Sequence, residues 1–313
     1  MSQHADSQVK LNVKSALTVA LLSVGYLLLS SWVVGFKSDQ VVLLVIFNAC
    51  FFSSSISRKF ITGFSVFIVY WIIFDYMKAI PNYEVSRVHI QDLYNAEKTV
   101  FGVNSNGARL TPNEYWRANS SNFLDILGGI FYLCWIPVPL SFGAYLFFFK
   151  DRKQFLSFAM TFFVVNLLGF IIYYTFPAAP PWYVYEHGFV FYHNTPGNTG
   201  GLSRFDDYFH VEIFKSIYAK GSNVFAAMPS LHSAYPIIVI YYGLKNKLGY
   251  VNILLGTVVI GIWFTAVYTS HHYVLDVLAG ILTAIIGINL FNFLFTKVPS
   301  LKSFLDRYAA FIR

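Results

Sequence analysis

Two short polar stretches, 229–233 and 271–276, carry residue types that could act on a phosphate group. His272 and Asp276 are four residues apart, which predicts one helical face where the carboxylate orients the imidazole. Ser230 is a good helix N-cap, and the free amides behind it predict an anion site beside His232. Together these residues predict nucleophilic and acid–base chemistry on an anionic group.

Two alternative interpretations of these residues stay open. Each histidine could be a packing residue whose ring nitrogens are satisfied by neighbouring groups. The cluster could also bind a metal, with the following ligands: His232, His271, His272 and Asp276. Against the metal, adjacent histidines on a helix point about 100° apart and rarely share an ion.

The composition indicates that membrane helices position these stretches. Of the 313 residues, 56% are hydrophobic and 12% are charged, with a mean hydropathy of +0.55. Soluble domains carry about 25% charged residues, so this chain is predicted to be an integral membrane protein. The net charge of +7 is then interpreted as a report of topology, with no nucleic-acid partner expected. Cys50 and Cys134 lie in apolar segments and indicate no disulfide framework.

Eight segments approach the ~20 residues that span a bilayer core. They are 15–36, 40–57, 60–80, 123–149, 154–176, 229–245, 250–270 and 273–296. The first is too long for a cleavable signal and lacks a cleavage site, so a retained helix is expected. The predicted fold class is an all-α polytopic membrane helix bundle with about eight transmembrane helices in one domain.

The distribution of basic residues predicts the orientation. Of the 22 Lys and Arg residues, 13 lie in short connections and tails on the side that holds both termini. The positive-inside rule places that side in the cytoplasm. The polar clusters at 177–183, 229–233 and 271–276 then share the opposite face, so the site is expected to be extracytoplasmic.

Two long loops, 81–122 and 177–228, are expected on that same face. Within 205–218, apolar residues recur every four positions, which predicts one amphipathic interfacial helix. Residues 84–101 also look helical. Such helices could cover a site that takes lipid from the side, or could simply pack against the bundle. Asp75 and Asn166 lie in or near membrane segments, where polar residues are functional candidates by default. Asp75 could instead be solvated, and Asn166 could instead join two helices.

The prolines of 176–183 predict an abrupt helix end followed by an extended turn. Trp182 and Tyr183 are expected at the membrane interface, where such aromatic side chains concentrate. On physical grounds alone, Pro180 and its neighbours predict a rigid rim.

The motifs resemble the type 2 phosphatidic acid phosphatase superfamily. Residues 229–232 match its Pro-Ser-Gly-His motif with Leu in place of Gly, and His272 with Asp276 matches its third motif. The Arg of that third motif is missing, because Thr265 and Ala266 stand where Ser-Arg is found. The first motif, with its Lys and Arg, is absent. The resemblance implies a six-helix core, which we place in 58–296. Two extra helices in 1–57 and a short cytoplasmic tail in 297–313 would flank that core.

The chain more closely resembles the fungal-type inositol phosphorylceramide synthases of this superfamily. The shared motifs are Phe-Pro-x-Ala-Pro-Pro-Trp-Tyr (176–183), Gly-Leu-Ser-Arg-x-Asp (201–206), Pro-Ser-Leu-His-Ser (229–233) and His-His-Tyr-x-x-Asp (271–276). The resemblance covers about 80–285. The fungal C-terminal tail is missing, which favours a bacterial homologue. Localisation would be a bacterial inner membrane, or the Golgi in a eukaryote.

The missing cations fit phosphodiester transfer. A phosphomonoester carries nearly two negative charges at pH 7 and needs several cations, whereas a phosphodiester lipid is a monoanion. Arg204 is the basic residue expected on that single charge, with the amides after Ser230. An ion pair between Arg204 and Asp206 or Asp207 is the alternative.

The resemblance assigns the catalytic roles. His272, backed by Asp276, would attack phosphorus and form a phosphohistidine. His232 would protonate the leaving diacylglycerol and then deprotonate the acceptor hydroxyl. The remaining substrate-site candidates are Ser230, Ser233, Pro180, Trp182, Tyr183 and His271, and the last is expected to serve packing or a hydrogen bond. The resemblance implies no metal and no other cofactor.

We therefore expect a transferase that moves phosphoinositol from phosphatidylinositol to ceramide or dihydroceramide and releases diacylglycerol. Its expected partners are these lipids and the bilayer, while the sequence identifies no protein partner. A lipid phosphate phosphatase, with water as acceptor, is the first alternative. A transporter or scaffold that uses the polar cluster for ion or lipid passage is the second.

Overall fold

The structure is a computed structural model that describes residues 11–219, 221 and 223–313. Its helices, in chain order, are α1 (Val13–Val34), α2 (Ser38–Ser53), α3 (Ser55–Tyr76), α4 (Asn82–Val85), α5 (Gln91–Phe101), α6 (Pro112–Ala118), α7 (Asn122–Leu133), α8 (Pro137–Phe149), α9 (Arg152–Thr175), α10 (Pro181–His187), α11 (Ser203–Phe209), α12 (Ile213–Ala219), α13 (Leu231–Lys245), α14 (Val251–Tyr268), α15 (Val274–Lys297) and α16 (Pro299–Phe311). A hairpin of β1 (Val103–Ser105) and β2 (Ala108–Leu110) and two 3-10 turns, Met77–Ala79 and Gly200–Leu202, complete the elements. The predicted all-α class is confirmed.

Six helical segments within the described residues are long and apolar enough to cross a membrane. They are Val13–Val34, Ser55–Ala79, Asn122–Phe149, Arg152–Thr175, Val251–Tyr268 and Val274–Lys297. The other two expected spans are also helical but shorter, with 16 residues in α2 and 15 in α13. The chain is thus a polytopic integral membrane protein, as predicted.

The chain divides into two compact units. Unit 1 comprises 1–80, 143–163 and 290–313, and unit 2 comprises 81–142 and 164–289. The predicted single membrane domain with its three ranges stays a prediction.

Unit 1 is held together by aromatic side chains and by a docked C-terminal helix. The Phe64 ring stacks on Phe155 with centroids 5.1 Å apart, and Phe67 meets Phe162 edge-on at 5.3 Å. The predicted tail 297–313 forms α16, whose Tyr308 hydroxyl donates to the Thr62 carbonyl at 2.6 Å. Asp75 pairs with Lys78 at 2.9 Å, which gives it a structural partner.

Unit 2 holds every residue of the candidate site. Helices α7, α13 and α14 pack together in it. The buried Asn166 accepts a hydrogen bond from the Tyr235 hydroxyl at 2.7 Å, a contact between α9 and α13. This contact fits the alternative that Asn166 joins two helices.

The prediction of one amphipathic helix over 205–218 is wrong. His210 adopts a left-handed backbone with φ 53°, which ends α11, and a new helix, α12, follows. The Asp206 carboxylate causes this restart, because it accepts from the amides of Phe214 and Lys215 at 3.2 and 2.9 Å. Residues 84–101 are helical mainly in α5, so that expectation is largely confirmed.

Candidate active site

His232 and His272 face each other in unit 2. His232 is the second residue of α13, and His272 lies in the connection between α14 and α15. The Nδ1 atom of His232 is 3.1 Å from Nε2 of His272, within hydrogen-bond distance. Two stretches 40 residues apart in the sequence are therefore brought together as predicted.

His272 is held as a neutral imidazole with one defined tautomer. Its Nδ1 donates to the Ala227 carbonyl at 2.9 Å, so the ring's lone pair lies on Nε2. Burial lowers the pKa of His272 to about 4, so the ring is unprotonated at neutral pH. A neutral ring with its lone pair on Nε2, the nitrogen that faces His232, has the form that a nucleophile requires.

The expected proximity of His272 and Asp276 is present, but the expected shared helix is not. His272 precedes α15, which begins at Val274, so the two residues do not share a helical face. The Oδ2 atom of Asp276 lies 3.7 Å from Nδ1 of His272 and accepts instead from the Tyr273 amide at 2.8 Å. Asp276 thus supplies a buried carboxylate near the ring, while a backbone carbonyl fixes the tautomer.

The Ala227 carbonyl is itself positioned by a small backbone network. The Ala227 amide donates to the Ala178 carbonyl at 3.3 Å, and the Ala178 amide donates to Phe225 at 2.8 Å. On the other side of Ala178, the His89 amide donates to Pro177 at 2.8 Å. The turn at 176–183 therefore orients His272 through backbone atoms.

Backbone hydrogen bonds hold the connection between α14 and α15 that carries His272. The Ala266 carbonyl accepts from the amides of His271 and His272 at 3.1 and 2.9 Å. The Ser270 carbonyl accepts from the Trp182 amide at 3.0 Å, and the Thr269 carbonyl accepts from the Gly201 amide at 2.8 Å. The motifs at 176–183 and 201–206 thus meet the histidine motif directly.

A buried asparagine from the first loop also holds this connection. The Nδ2 atom of Asn113 donates to the carbonyls of Val267 and His272, at 2.8 and 2.9 Å. Its side chain is 2% exposed. Asn113 lies in the first turn of α6, and the sequence assigned it no role, because its spacing does not link it to the histidine motif.

His271 occupies a different environment from His272. Its ring stacks on Tyr218 with centroids 4.5 Å apart and on Tyr132 at 5.5 Å. Its Nε2 donates to the Thr199 carbonyl at 2.7 Å. Burial lowers the pKa of His271 to about 3, with a smaller contribution from the charge of the neighbouring His272. These contacts fit the expected packing and hydrogen-bonding role.

The start of α13 forms as predicted from Ser230. Its Oγ accepts from the Ser233 amide at 3.3 Å and from the Ser233 hydroxyl at 3.0 Å, and both serines are fully buried. The Ser230 amide donates to the Asp276 carbonyl at 2.9 Å. Gly280 permits this close approach, because a Cβ there would overlap the Ser230 carbonyl.

Arg204 is paired with a residue that the sequence pattern did not single out. Its Nε donates to Oδ1 of Asp125 at 2.6 Å, and the Tyr268 hydroxyl donates to the same oxygen at 2.7 Å. The expected alternative partner Asp206 caps α12 instead. Within the described residues, the buried Nη2 of Arg204 has no hydrogen-bond partner.

Trp182 and Tyr183 are buried within the protein, and their position at the membrane interface stays a prediction. They are 6% and 0% exposed and pack with Ile90, Ala179 and Phe225. Pro180 caps the short helix α10 that carries both side chains. The Tyr183 hydroxyl donates to the Val190 carbonyl at 2.8 Å, which folds the following loop against this cluster. The side chains of this turn therefore form part of a buried cluster in the loop region, and its expected rigidity stays a prediction.

Asp125 and Glu97 are two buried acids that the motif pattern did not reveal. Asp125 interrupts the apolar run 123–149, and a carboxylate within a membrane segment is a functional candidate by default, so a signal existed. Glu97 lies in a polar helical segment where nothing in the local pattern distinguishes it from solvated neighbours.

Comparison with known sequences identifies the family of this chain. A model of the PAP2 superfamily matches residues 108–290. The phosphoinositol dihydroceramide synthase of Bacteroides thetaiotaomicron is 43% identical over 301 residues, which cover 96% of this chain and 99% of that protein. The inositol phosphorylceramide synthase of Candida albicans is 28% identical over 258 residues, 81% of this chain and 52% of that protein.

A second fungal protein is also similar to this chain in sequence. The inositol phosphorylceramide synthase catalytic subunit of Saccharomyces cerevisiae is 30% identical over 168 residues, which cover 52% of this chain and 41% of that protein. No solved structure matches this chain. The family resemblance inferred from the four motifs is confirmed, and the chain belongs to the PAP2 superfamily.

Proposed function

We propose that this protein transfers phosphoinositol from phosphatidylinositol to ceramide or dihydroceramide and releases diacylglycerol. The observation that carries the proposal is the 43% identity to a phosphoinositol dihydroceramide synthase over nearly the whole of both chains. The opposed imidazoles of His232 and His272 supply the chemistry that such a transfer needs.

In the first half-reaction, Nε2 of His272 attacks phosphorus and the bond from phosphorus to the glycerol oxygen breaks. The phosphodiester anion between the rings favours the imidazolium form of His232, because opposite charges attract. His232 gives its proton to the leaving oxygen, so diacylglycerol departs as an alcohol. The phosphoinositol group then remains on His272, where the Asp276 carboxylate offsets the positive charge of the ring.

In the second half-reaction, the now neutral His232 takes the proton of the ceramide hydroxyl as its oxygen attacks phosphorus. The bond between phosphorus and His272 breaks, and both histidines return to their starting forms. Arg204 binds the single phosphodiester charge, with the backbone amides that follow Ser230. Asp125 offsets part of the Arg204 charge, which suits a monoanionic substrate better than a dianionic one.

The site faces the extracytoplasmic side in this proposal, with both termini in the cytoplasm. The basic residues of the short connections and tails support that orientation. An extracytoplasmic site would receive both lipids from the outer leaflet.

The test uses purified protein in detergent micelles with headgroup-labelled phosphatidylinositol and ceramide. We expect labelled inositol phosphorylceramide and an equal amount of diacylglycerol. Release of phosphate from phosphatidic acid without ceramide, and no labelled sphingolipid, would favour the phosphatase alternative. Lipid or ion passage that survives His272→Ala would favour the transporter alternative.

A further inference from the structure

A buried carboxylate from a distant helix caps the helix that follows the proposed nucleophile. Glu97 on α5 is fully buried, and its two oxygens accept separately from the amides of Val274 and Leu275 at 2.9 and 3.1 Å. These are the first two amides of α15. The first four amides of a helix lack partners within the helix, so Glu97 satisfies two of them.

The sequence before α15 cannot provide this cap by itself. The residue at the cap position is Tyr273, whose side chain has no acceptor that can fold back on the following amides. Asp276 accepts from the Tyr273 amide at 2.8 Å, so two carboxylates together hold three consecutive amides. His272 immediately precedes these three residues.

We propose that Glu97 is a positioning residue for the transfer reaction: it fixes the first turn of α15 and thereby the place of His272 opposite His232. This inference rests on the proposed function. Both oxygens of Glu97 are occupied by backbone amides, so the side chain has no role as proton donor or acceptor toward substrate. Without the cap, the first turn of α15 unwinds and the imidazole of His272 shifts relative to His232. A displacement of about 1 Å costs about 100-fold in rate.

The charge of Glu97 gives this arrangement a pH dependence. Burial, with a smaller contribution from Asp276, raises the pKa of Glu97 to about 7. Tyr273 faces both carboxylates, and burial followed by Asp276 and Glu97 raises the pKa of its hydroxyl, so it stays neutral. The neighbouring titratable groups on α5 and α6 bond to one another: the Tyr94 hydroxyl donates to Glu114 and accepts from Lys98. Below pH 7, the proton on Glu97 occupies one of its two acceptor oxygens and the cap weakens.

The first measurement is steady-state transfer between pH 5.5 and 8.5 with the wild type and Glu97→Gln. In the wild type, kcat falls as the pH drops through about 7. In Glu97→Gln, kcat at pH 8 is about 10- to 100-fold lower, KM for either lipid is nearly unchanged, and the fall near pH 7 is lost. An unchanged acid limb in Glu97→Gln, or a kcat equal to that of the wild type, overturns the proposal.

Two further variants control for folding and for chemistry. Glu97→Asp retains the charge but is one carbon shorter, so it keeps an acid limb at reduced kcat. Asp92→Asn makes the same type of change, carboxylate to amide, on the same helix, at a half-exposed side chain that bonds to the His89 ring and to backbone amides at the start of α5. It should stay within about twofold of the wild type at every pH. A loss in Asp92→Asn equal to that in Glu97→Gln would overturn the proposal, because any change in α5 would then suffice.

A readout without substrate separates this proposal from the proposed function. Hydrogen exchange of peptides that contain Val274 and Leu275 is measured at pH 8 in detergent. Glu97→Gln should speed exchange at these amides by at least about 10-fold while the rest of α15 stays protected. If Glu97→Gln exchanges faster but the wild type makes no sphingolipid, the proposed function is overturned while the capping role of Glu97 is supported. Unchanged exchange would overturn the cap whatever the activity.

Discussion

The Nδ1 atom of His232 and the Nε2 atom of His272 lie 3.1 Å apart, so the two rings are hydrogen-bonded to each other. Because His272 donates from Nδ1 to Ala227, His232 must be the donor in this contact. A phosphate that reaches Nε2 of His272 therefore has to break the contact and takes its place between the rings. The proton of His232 is then adjacent to the reacting phosphorus from the start.

The two adjacent histidines should respond very differently to substitution. His272→Ala should lose nearly all transfer and form no phosphohistidine, because it removes the nucleophile. His271→Ala should retain measurable activity, since its ring stacks on Tyr132 and Tyr218 and bonds to a backbone carbonyl. Transfer assays and acid-quenched labelling of the protein measure both effects. An inactive His271→Ala beside an active His272→Ala would reverse the assignment.

His232→Ala should slow both half-reactions because one residue serves first as acid and then as base. Labelled phosphohistidine that accumulates in this variant would place the start of the chemistry at His272. Full activity in His232→Ala would remove the acid–base assignment.

Asp276→Asn should cost about 100-fold in kcat, through loss of a negative charge beside the ring. This is less than the ~10⁴-fold loss seen where a carboxylate fixes the histidine tautomer directly. The difference follows from the 2.9 Å bond to Ala227, which survives the substitution. Single-turnover formation of the phosphohistidine is the measurement. A loss of about 10⁴-fold would show that Asp276, and not Ala227, sets the tautomer.

Gly280→Ala should inactivate the protein without removing any polar side chain of the site. The added Cβ would overlap the Ser230 carbonyl and push α13 away from α15. His232 would then move away from His272. Gly256 offers a matched control, because a Cβ there has no atom within 4 Å. Activity and the melting temperature of Gly280→Ala and Gly256→Ala should be compared, and equal activity would refute the close-approach argument.

Arg204 and Asp125 should act as one unit. Arg204→Lys should lower kcat/KM at least about 10-fold, since one ammonium group cannot replace the guanidinium fork that bonds Asp125 through Nε and leaves Nη2 for phosphate. Asp125→Asn should raise KM for phosphatidylinositol by loosening that fork. The loss of transition-state stabilisation in the double variant, calculated from kcat/KM, should be smaller than the sum of the two single losses by about 1–2 kcal/mol. Additive losses would separate Arg204 from Asp125.

The orientation can be tested with single cysteines after Cys50 and Cys134 are replaced by serine. Lys302→Cys should react with a membrane-impermeant maleimide only from the cytoplasmic side, and Asp207→Cys only from the opposite side. Both positions are exposed, so a lack of labelling reports sidedness and not burial. Reaction of both from one side would reject the proposed topology.

The membrane helices and the two histidine stretches could be predicted from the sequence, because apolar length and motif spacing are local signals. The partner of His272 could not be, since a backbone carbonyl 45 residues away leaves no trace in residue type. The helical explanation of the His272–Asp276 proximity was wrong for a related reason: spacing predicts a shared face only when both residues lie in the helix, and His272 precedes it. Glu97 was missed because its role as the cap of α15 depends on its burial, and the polar residues around it in the sequence do not indicate that burial.

The backbone network around Ala178 has a consequence for how this site tolerates sequence change. The Ala227 carbonyl sets the His272 tautomer, and backbone groups of residues 177, 178 and 225 hold it in place. The side chains of these four residues are two alanines, a proline and a phenylalanine. An alanine-scanning survey would pass over the two alanines entirely and so would not test their backbone role. A substitution in the backbone itself would test this role. Replacing the amide of Ala227 by an ester should slow phosphohistidine formation, although no side chain has changed.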